Sequence, residues 1–264
     1  MIDIHCHILP KIDDGSRSLE ESLEMARIAV SEGIDTMIST AHYHTEVDYV
    51  KGKELKEAAT SFNEELQRQN IGLKVLVGNE LYYSSDLMAG IDELDFFTLA
   101  GSRYVLIEFR PDQLPSDMGG IVYEFRIRGY VPIIAHIERY SQVRERPEMV
   151  EELIGAGYLI QVNARSLRKS EDRVAKTARE LLESRMVHFV ATDSHRSDVR
   201  TPRIRDAYIE AIELLGEETA DVIFNENPRR LINNESIEPF EIIDIKGSGR
   251  KSVIDIIRKL VKKR

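Results

Sequence analysis

Short apolar runs rich in β-branched residues recur seven times along this chain, and helical patterns lie between them. The predicted strands are Ile2–His7, Thr36–His42, Leu73–Glu80, Tyr104–Phe109, Val131–His136, Tyr158–Asn163 and Val187–Asp193. Near-continuous apolar runs are typical of parallel strands that are covered on both sides. Seven such repeats in 264 residues predict an α/β fold, a distorted (β/α)7 barrel related to the TIM barrel, with a doubly wound open sheet as the alternative.

The helical stretches carry sequence signals for their ends. Ser18 and Glu21 form a capping-box pattern, and apolar residues follow at helical spacing. Further predicted helices are Lys53–Gln69, Gly119–Arg128, Glu148–Ile154, Asp172–Ser184 and Ile204–Leu214, and Asn227-Pro228 opens a short one. The loop after the first strand, Pro10 to Gly15, matches neither of the glycine-rich nucleotide-binding fingerprints.

No linker or change of composition divides the chain before about Asn234. We therefore predict a barrel domain over residues 1–245, ending in the strand-like Ile242–Ile245, and a short C-terminal appendage over residues 246–264. The appendage has seven Lys or Arg and one Asp from Arg250 onward, arranged as a basic amphipathic helix. Packing of this helix against the barrel or another subunit is favoured, and docking on anionic lipid or an acidic partner is the alternative.

Composition argues against several classes of protein. The net charge of −10 argues against binding to nucleic acid. One cysteine cannot form an internal disulfide and fits a reducing cytosol. No apolar run approaches the roughly 18 residues of a membrane span, and the N-terminus does not resemble a signal peptide. We therefore expect a cytoplasmic protein without stable membrane insertion, which could form oligomers.

The histidines are concentrated at the ends of the predicted strands. Six of the seven lie at or just beyond a carboxyl end, and three carboxylates lie at or near such ends: His5, His7, His42, His44, His136 and His195, with Glu80, Glu108 and Asp193. In a parallel barrel these ends meet at one face, where active sites form. Residues almost 200 positions apart are therefore predicted to converge on one pocket.

This set of side chains predicts a metal site. His5 and His7 are two apart on a strand, so their side chains point to the same side and can share an ion. Asp193 and His195 repeat this spacing. Imidazole and carboxylate donors together suit manganese, iron or zinc, and the absence of a thiolate cluster argues against a structural zinc site. Up to nine donors exceed the needs of one ion, so we expect two or three.

Three residues are interpreted as structural. His188 begins its strand and should lie at the opposite face of the barrel, and His44 follows His42, which already ends a strand, so His44 is assigned to the surface. A cysteine-based tyrosine phosphatase needs an arginine six positions after its nucleophile, but Ile12 stands six positions after Cys6. Cys6 is therefore interpreted as a packing residue.

Three further residues are candidates for the chemistry. Asp14, in the first β–α loop, either belongs to an ordinary turn or overhangs the metals as a ligand or a proton donor. Arg139 and Arg200 follow His136 and His195 by three and five positions and could fork onto phosphate oxygens. For either arginine alone, a surface salt bridge is the simpler interpretation.

The motifs together resemble the PHP (polymerase and histidinol phosphatase) superfamily, and within it the bacterial protein-tyrosine phosphatases of capsule and exopolysaccharide loci. The resemblance covers roughly Met1 to Asn234. It is carried by Met1–Pro10, Asp13–Ser16, Thr40–His44, Gly78–Glu80, Leu106–Phe109, Ala135–Tyr140 and Ala191–His195. Ile137 stands where family members have proline, and this departure affects the local loop rather than the predicted ligands.

The resemblance implies a distorted seven-stranded barrel with three metal ions, usually discussed as manganese. By motif, His5, His7, Glu80 and Asp193 would hold one ion. Glu80, Glu108 and His136 would hold a second, and His42 and His195 a third, with Asp14 as a further candidate ligand. Arg139 and Arg200 would bind the phosphoryl group.

The implied activity is hydrolysis of phosphotyrosine by a metal-activated hydroxide, on the cytoplasmic tail of a bacterial tyrosine kinase that regulates polysaccharide export. Three alternatives stay open: a small-molecule phosphatase, above all of histidinol phosphate; an amidohydrolase; and an inactive metal-binding protein that docks a partner. Amidohydrolases usually add a lysine ligand in mid-barrel, and no lysine here ends a predicted middle strand.

Overall fold

A computed structural model describes residues 1–110 and 113–243 of the chain. It contains seven strands in sequential order: β1 (Ile2–Cys6), β2 (Thr36–Tyr43), β3 (Lys74–Tyr82), β4 (Tyr104–Glu108), β5 (Val131–Ile134), β6 (Leu159–Asn163) and β7 (Phe189–Ala191). Every neighbouring pair is parallel. All seven predicted strands are confirmed, with ends that differ by a few residues.

The sheet closes on itself between β1 and the end of β7. Cys6 pairs in parallel with Ser194. The amide of Asp193 donates to His5 O at 2.8 Å, and the amide of His7 donates to Ser194 O at 2.8 Å. A barrel rather than a doubly wound open sheet is therefore the architecture, and the seam of this barrel carries three of the residues that the sequence placed in the site: His5, His7 and Asp193.

The helices cover the outside of the barrel. They are α1 (Leu19–Ser31), α2 (Gly52–Arg68), α3 (Ser85–Gly90), α4 (Met118–Ile127), α5 (Ser141–Glu145), α6 (Met149–Ala156), α7 (Arg173–Glu183), α8 (Arg205–Leu215), α9 (Glu217–Asp221) and α10 (Asn227–Ile232). Ser18 caps α1 by accepting from the amide of Glu21. The Glu21 carboxylate binds the amide of Arg17, at 2.8 Å, rather than that of Ser18. The predicted helices are confirmed, and the short α3, α5 and α9 are additional.

The barrel interior is apolar at one end and polar at the other. Alternate strand residues such as Ile4, Leu106 and Phe189 form a buried apolar cluster, which Leu231 of α10 joins. Farther along the strands, this alternation leads from Leu106 to Glu108 and from Phe189 to Asp193. Gly78 leaves space for Leu99 of the apolar cluster, because a Cβ on Gly78 would lie 2.8 Å from a methyl group of Leu99. The fold thus separates a stabilising end of the barrel from a polar end.

The described part of the chain ends at Ile243, so the predicted appendage over residues 246–264 lies outside it. Ile242 and Ile243 belong to the run predicted to be strand-like, but they lie outside any strand. Within residues 1–110 and 113–243, none of the helices is both long enough and apolar enough to span a bilayer.

Candidate metal centre

Glu80, near the end of β3, lies at the centre of the polar end of the barrel and is buried. Its Oε2 lies 3.2 Å from His5 Nε2, 3.4 Å from His7 Nε2 and 3.2 Å from His42 Nδ1. Its Oε1 lies 3.1 Å from His136 Nε2. One carboxylate therefore faces four imidazole nitrogens, which come from β1, from β2 and from the loops that follow β1 and β5.

The remaining predicted donors surround this centre. Glu108 Oε1 lies 3.4 Å from His136 Nε2, and Asp193 Oδ1 lies 3.5 Å from His5 Nε2 and 3.6 Å from His195 Nδ1. Three overlapping sets of donor atoms, each within 4.8 Å of one another, could hold an ion: His5, His7 and Asp193; His42, Glu80 and Glu108; and His7, Asp14, His42 and His195. The structure thus brings together all eight residues that the sequence assigned to metal.

Two of these side chains are presented by an uncommon backbone. His136 has a φ of 33° and Asp193 a φ of 50°. Left-handed φ is rare for residues other than glycine, and where it persists the surrounding structure must hold it. Both residues lie two positions beyond a barrel strand, at a turn that places their side chains in the cluster.

The charges within the cluster shift the pKa values of its carboxylates in opposite directions. Burial acts to raise the pKa of Glu80, but the charge of His5 and the hydrogen bond from His136 outweigh it and hold this pKa well below its usual range. Burial and the neighbouring charge of Glu80 raise the pKa of Glu108. Such closely spaced carboxylates need cations or protons among them.

His7 is oriented from outside the cluster by Asp13. His7 Nδ1 lies 2.7 Å from Asp13 Oδ2, which also accepts from the amide of His42 at 3.1 Å. The other oxygen, Oδ1, accepts from the amide of Gly15 at 2.9 Å. With Nδ1–H donating to Asp13, the lone pair on Nε2 points towards Glu80 and Asp193. A Cβ on Gly15 would lie 2.3 Å from His7 O, so only glycine fits there.

Strand β6 contributes two amides in place of metal donors. Gln161 Oε1 lies 3.2 Å from His5 Nδ1 and accepts from the amide of His136 at 2.7 Å. Gln161 Nε2 donates to Asn163 Oδ1 at 2.9 Å, and Asn163 Nδ2 donates to Asp193 Oδ2 at 2.8 Å. This chain of hydrogen bonds ties three of the predicted ligands to one buried strand.

Arg139 and Arg200 border the cluster together with Asp14. Arg139 Nη2 lies 3.0 Å from Asp193 Oδ2, and Arg200 Nη2 lies 2.6 Å from Asp193 Oδ1. Both arginines thus form ion pairs with a residue of the site and not with a surface residue.

Asp14 Oδ1 lies 3.3 Å from His42 Nε2 and 3.4 Å from His195 Nε2, and the Asp14 side chain is 54% exposed. Hydrogen bonds from His195 and His42 hold the pKa of Asp14 below its usual range.

The three residues interpreted as structural lie away from the cluster. His188 is buried, and its Nδ1 accepts from the amide of Ile160 at 3.1 Å. Cys6 is buried, its Sγ lies 3.4 Å from Ile38 O, and burial raises the pKa of its thiol well above the usual range. His44 stacks on Tyr82 with ring centroids 4.2 Å apart. It is half-buried, so its assignment to the surface is only partly right.

Asp13, Gln161 and Asn163, which orient the predicted ligands by hydrogen bonds, were not predicted from the sequence. In the sequence, Asp13 is recognisable only as part of a turn. Gln161 and Asn163 stand two apart at the end of an otherwise apolar strand, as His5 and His7 do, and this repeated spacing is the signal that could have found them.

The closed barrel and its histidine–carboxylate cluster define an α/β-barrel protein with a candidate metal centre at the carboxyl ends of its strands. The chain belongs to the CpsB/CapC family, whose model, described as "Capsular polysaccharide synthesis, CpsB/CapC", matches residues 1–233. This result confirms the resemblance that the motifs indicated.

Named members of the family align over most of their length. The tyrosine-protein phosphatase YwqE of Bacillus subtilis is 34% identical over 238 residues, which cover 90% of this chain and 93% of the relative. The tyrosine-protein phosphatase CpsB of Streptococcus agalactiae is 32% identical over 243 residues, which cover 90% of this chain and 100% of the relative.

Solved structures agree with this assignment. One such structure superposes on this chain with a TM-score of 0.86 at 33% identity. It comes from work on YwqE of B. subtilis and CpsB of Streptococcus pneumoniae, which are described there as unique metal-dependent tyrosine phosphatases. It covers 92% of this chain and 100% of that one. The histidinol phosphate phosphatase of Lactococcus lactis has a TM-score of 0.52 at 15% identity, with 84% of this chain and 94% of that one covered, and shares the fold.

Proposed function

We propose that this chain is a metal-dependent protein-tyrosine phosphatase that acts in capsular or exopolysaccharide synthesis. The main support is the histidine–carboxylate cluster around Glu80, which Arg139 and Arg200 border. The chain is also about a third identical to relatives named tyrosine-protein phosphatases. Cys6 is buried and its thiol pKa is raised by burial, so the chain offers no cysteine nucleophile there.

The donor set fits divalent ions. His5 and His7 each offer Nε2 to the cluster, and the other nitrogen of each ring is occupied by Gln161 and Asp13, respectively. We assign one ion to His5, His7, Glu80 and Asp193, a second to Glu80, Glu108 and His136, and a third to His42, His195 and Asp14. Nitrogen and oxygen donors without thiolate suit manganese, iron or zinc, and we propose manganese, with iron or zinc as the alternatives.

These ions, when bound, supply a nucleophilic water at neutral pH and neutralise charge on the phosphoryl group. Arg139 and Arg200 donate from guanidinium forks, a geometry that suits two phosphate oxygens at once. Asp14 acts as a ligand in this proposal, since its Oδ1 lies within 3.4 Å of both His42 Nε2 and His195 Nε2. A phenolate is a fair leaving group, so a dedicated proton donor is unnecessary.

The substrate we propose is the phosphotyrosine-bearing tail of a bacterial tyrosine kinase, met in the cytoplasm. The family's description in capsular polysaccharide synthesis and the names of the relatives support this choice. A disordered tail suits the site, because Asp14 and both arginines are partly exposed and can meet a flexible chain.

The test is metal removal followed by reconstitution. After chelation, Mn²⁺, Fe²⁺ or Zn²⁺ is added back, and phosphotyrosine peptide, histidinol phosphate and p-nitrophenyl phosphate are assayed side by side. We expect activity only with metal and a preference for the peptide. A preference for histidinol phosphate would overturn the substrate, and activity after complete metal removal would overturn the metal dependence.

A matched pair of histidine variants sharpens this test. His136→Ala should abolish turnover while circular dichroism stays native. His44→Ala, which removes the ring stacked on Tyr82 outside the cluster, should retain turnover. Equal loss of activity in both variants would contradict the proposed site.

A further inference from the structure

A groove of about 550 Å³ runs from the border of the candidate metal centre across the surface of the barrel. Thr192 and Arg200 line it where it meets the cluster, and the turn after β6 and one side of α8 form its walls. Because Arg200 both lines the groove and contacts Asp193, the groove is continuous with the place where the phosphoryl group would bind.

The floor and one wall of the groove are apolar. Ala164, Leu167 and Ala207 are buried beneath it. Ile209 also lines it and is 48% exposed, so its side chain is accessible to a ligand. An extended peptide that entered the groove could therefore bury side chains against this floor.

The charge along the groove is predominantly positive. Five of its lining residues are Arg or Lys and three are Asp or Glu. Lys169 is neutralised by Glu213 at 2.7 Å, and Arg168 by Asp172 at 2.8 Å. Over the described ranges, Arg165 and Arg203 form no ion pair, so these two guanidinium groups are available to a ligand.

Arg165 is held among other cations. It follows Asn163, the last residue of β6, by two positions, and so lies at the carboxyl end of the barrel. Burial lowers the pKa of Arg165, and the positive charges of Arg139, Arg200 and Arg168 lower it further. The negative charge of Asp193 offsets this effect on the pKa only in part. A cation without an ion-pair partner, beside a phosphate-binding pair of arginines, is stabilised by an anionic ligand.

We propose that this groove, named here the Arg165 groove, holds the peptide segment next to the phosphotyrosine and selects an acidic side chain that pairs with Arg165 or Arg203. The inference rests on the proposed phosphatase function and adds a substrate preference to it. The charge excess favours an acidic segment over a basic one, and the apolar floor favours a polypeptide over a small phosphate ester.

The test compares pairs of phosphotyrosine peptides that are identical except for Asp or Lys at one flanking position, scanned over three positions on each side. For wild type we expect kcat/KM to be about 2- to 5-fold higher for the acidic member at one or more positions, the size of an exposed ion pair. Arg165→Glu and Arg203→Glu should reverse this ratio, mainly through KM. Arg27→Glu, on the exposed face of α1, should keep it.

The ratio of kcat/KM for the acidic peptide to that for the basic peptide does not depend on a general loss of activity, because both peptides are assayed with the same variant. A wild-type ratio of one at every position, or a ratio that neither reversal changes, would overturn the groove while leaving the phosphatase intact. Failure of the metal-loaded wild type to hydrolyse any phosphotyrosine peptide would overturn the function and, with it, the groove.

Discussion

Gln161 Oε1 lies 3.2 Å from Nδ1 of His5, across 156 positions of the chain. The same oxygen accepts from the amide of His136. Strand β6 provides none of the eight predicted metal ligands, yet it orients two of them and, through Asn163, a third. We interpret β6 as the strand that holds the centre in shape, since groups that hydrogen-bond to metal ligands fix ring orientation and tautomer.

Gln161→Leu should weaken metal binding. It removes the acceptor that holds His5 Nδ1–H and the His136 amide, and we expect affinity to fall by about 10- to 100-fold. Isothermal titration of the metal-free protein with Mn²⁺ measures this change. Gln161→Glu, which keeps an acceptor oxygen, should restore part of the affinity, and Gln67→Leu on the exposed face of α2 should have no effect. Wild-type affinity in Gln161→Leu would show that β6 does not position the ligands.

Gly15→Ala should destabilise the first β–α loop. The added Cβ would lie 2.3 Å from His7 O and 2.5 Å from His7 Cβ, so the backbone must shift. Overpacking of this kind typically lowers the free energy of unfolding by about 1–3 kcal/mol. Gly72→Ala is the matched control, because a Cβ added at Gly72 would have no neighbouring atom within 4 Å. Chemical denaturation measures both, and equal stabilities would contradict the close approach.

Arg200→Ala should impair binding of the phosphoryl group. Loss of a charged hydrogen-bond donor corresponds to about 1.5–3 kcal/mol, which is about 10- to 100-fold in kcat/KM. The Ki of inorganic phosphate as a competitive inhibitor should rise in parallel. Arg146→Ala, whose pair with Glu152 is long at 3.8 Å, serves as control. An unchanged Ki for phosphate would remove Arg200 from the site.

The sequence identified the barrel because parallel strands buried on both faces leave a continuous apolar signal, as in Tyr104–Glu108. It identified the ligands because histidine at a strand end is chemically distinctive. It did not identify Gln161 and Asn163, since amides carry no charge or metal signature. Their role depends on contacts such as that of Asn163 with Asp193, which only the closed barrel brings together. The short helix Ser85–Gly90 is not predicted because six residues show too little periodicity.

His188 predicts a pH dependence of stability that is separate from the metal centre. Burial lowers its pKa to about 3 in the folded chain, against about 6.5 unfolded. Its contribution is therefore complete above about pH 6.5 and is lost as the pH falls towards 3, by at most about 1.4 kcal/mol per pH unit. In His188→Asn the amide oxygen can still accept from the amide of Ile160, but the side chain does not titrate.

Urea unfolding between pH 4.5 and 7.5 measures this effect. The slope of stability against pH should be smaller in His188→Asn than in wild type by up to one proton over the acidic half of this range. Other titrating groups contribute equally to both proteins and cancel in the difference. Identical slopes would show that His188 is not held neutral by burial.

The proposed function depends on divalent ions bound around Glu80. Anomalous scattering from crystals of the Mn²⁺-loaded protein tests for these ions most directly, together with elemental analysis of the same sample. We predict two or three anomalous peaks within coordination distance of His5, Glu80 and His195, and a matching stoichiometry. Absence of peaks and of bound metal after loading with Mn²⁺, Fe²⁺ and Zn²⁺ would contradict the account.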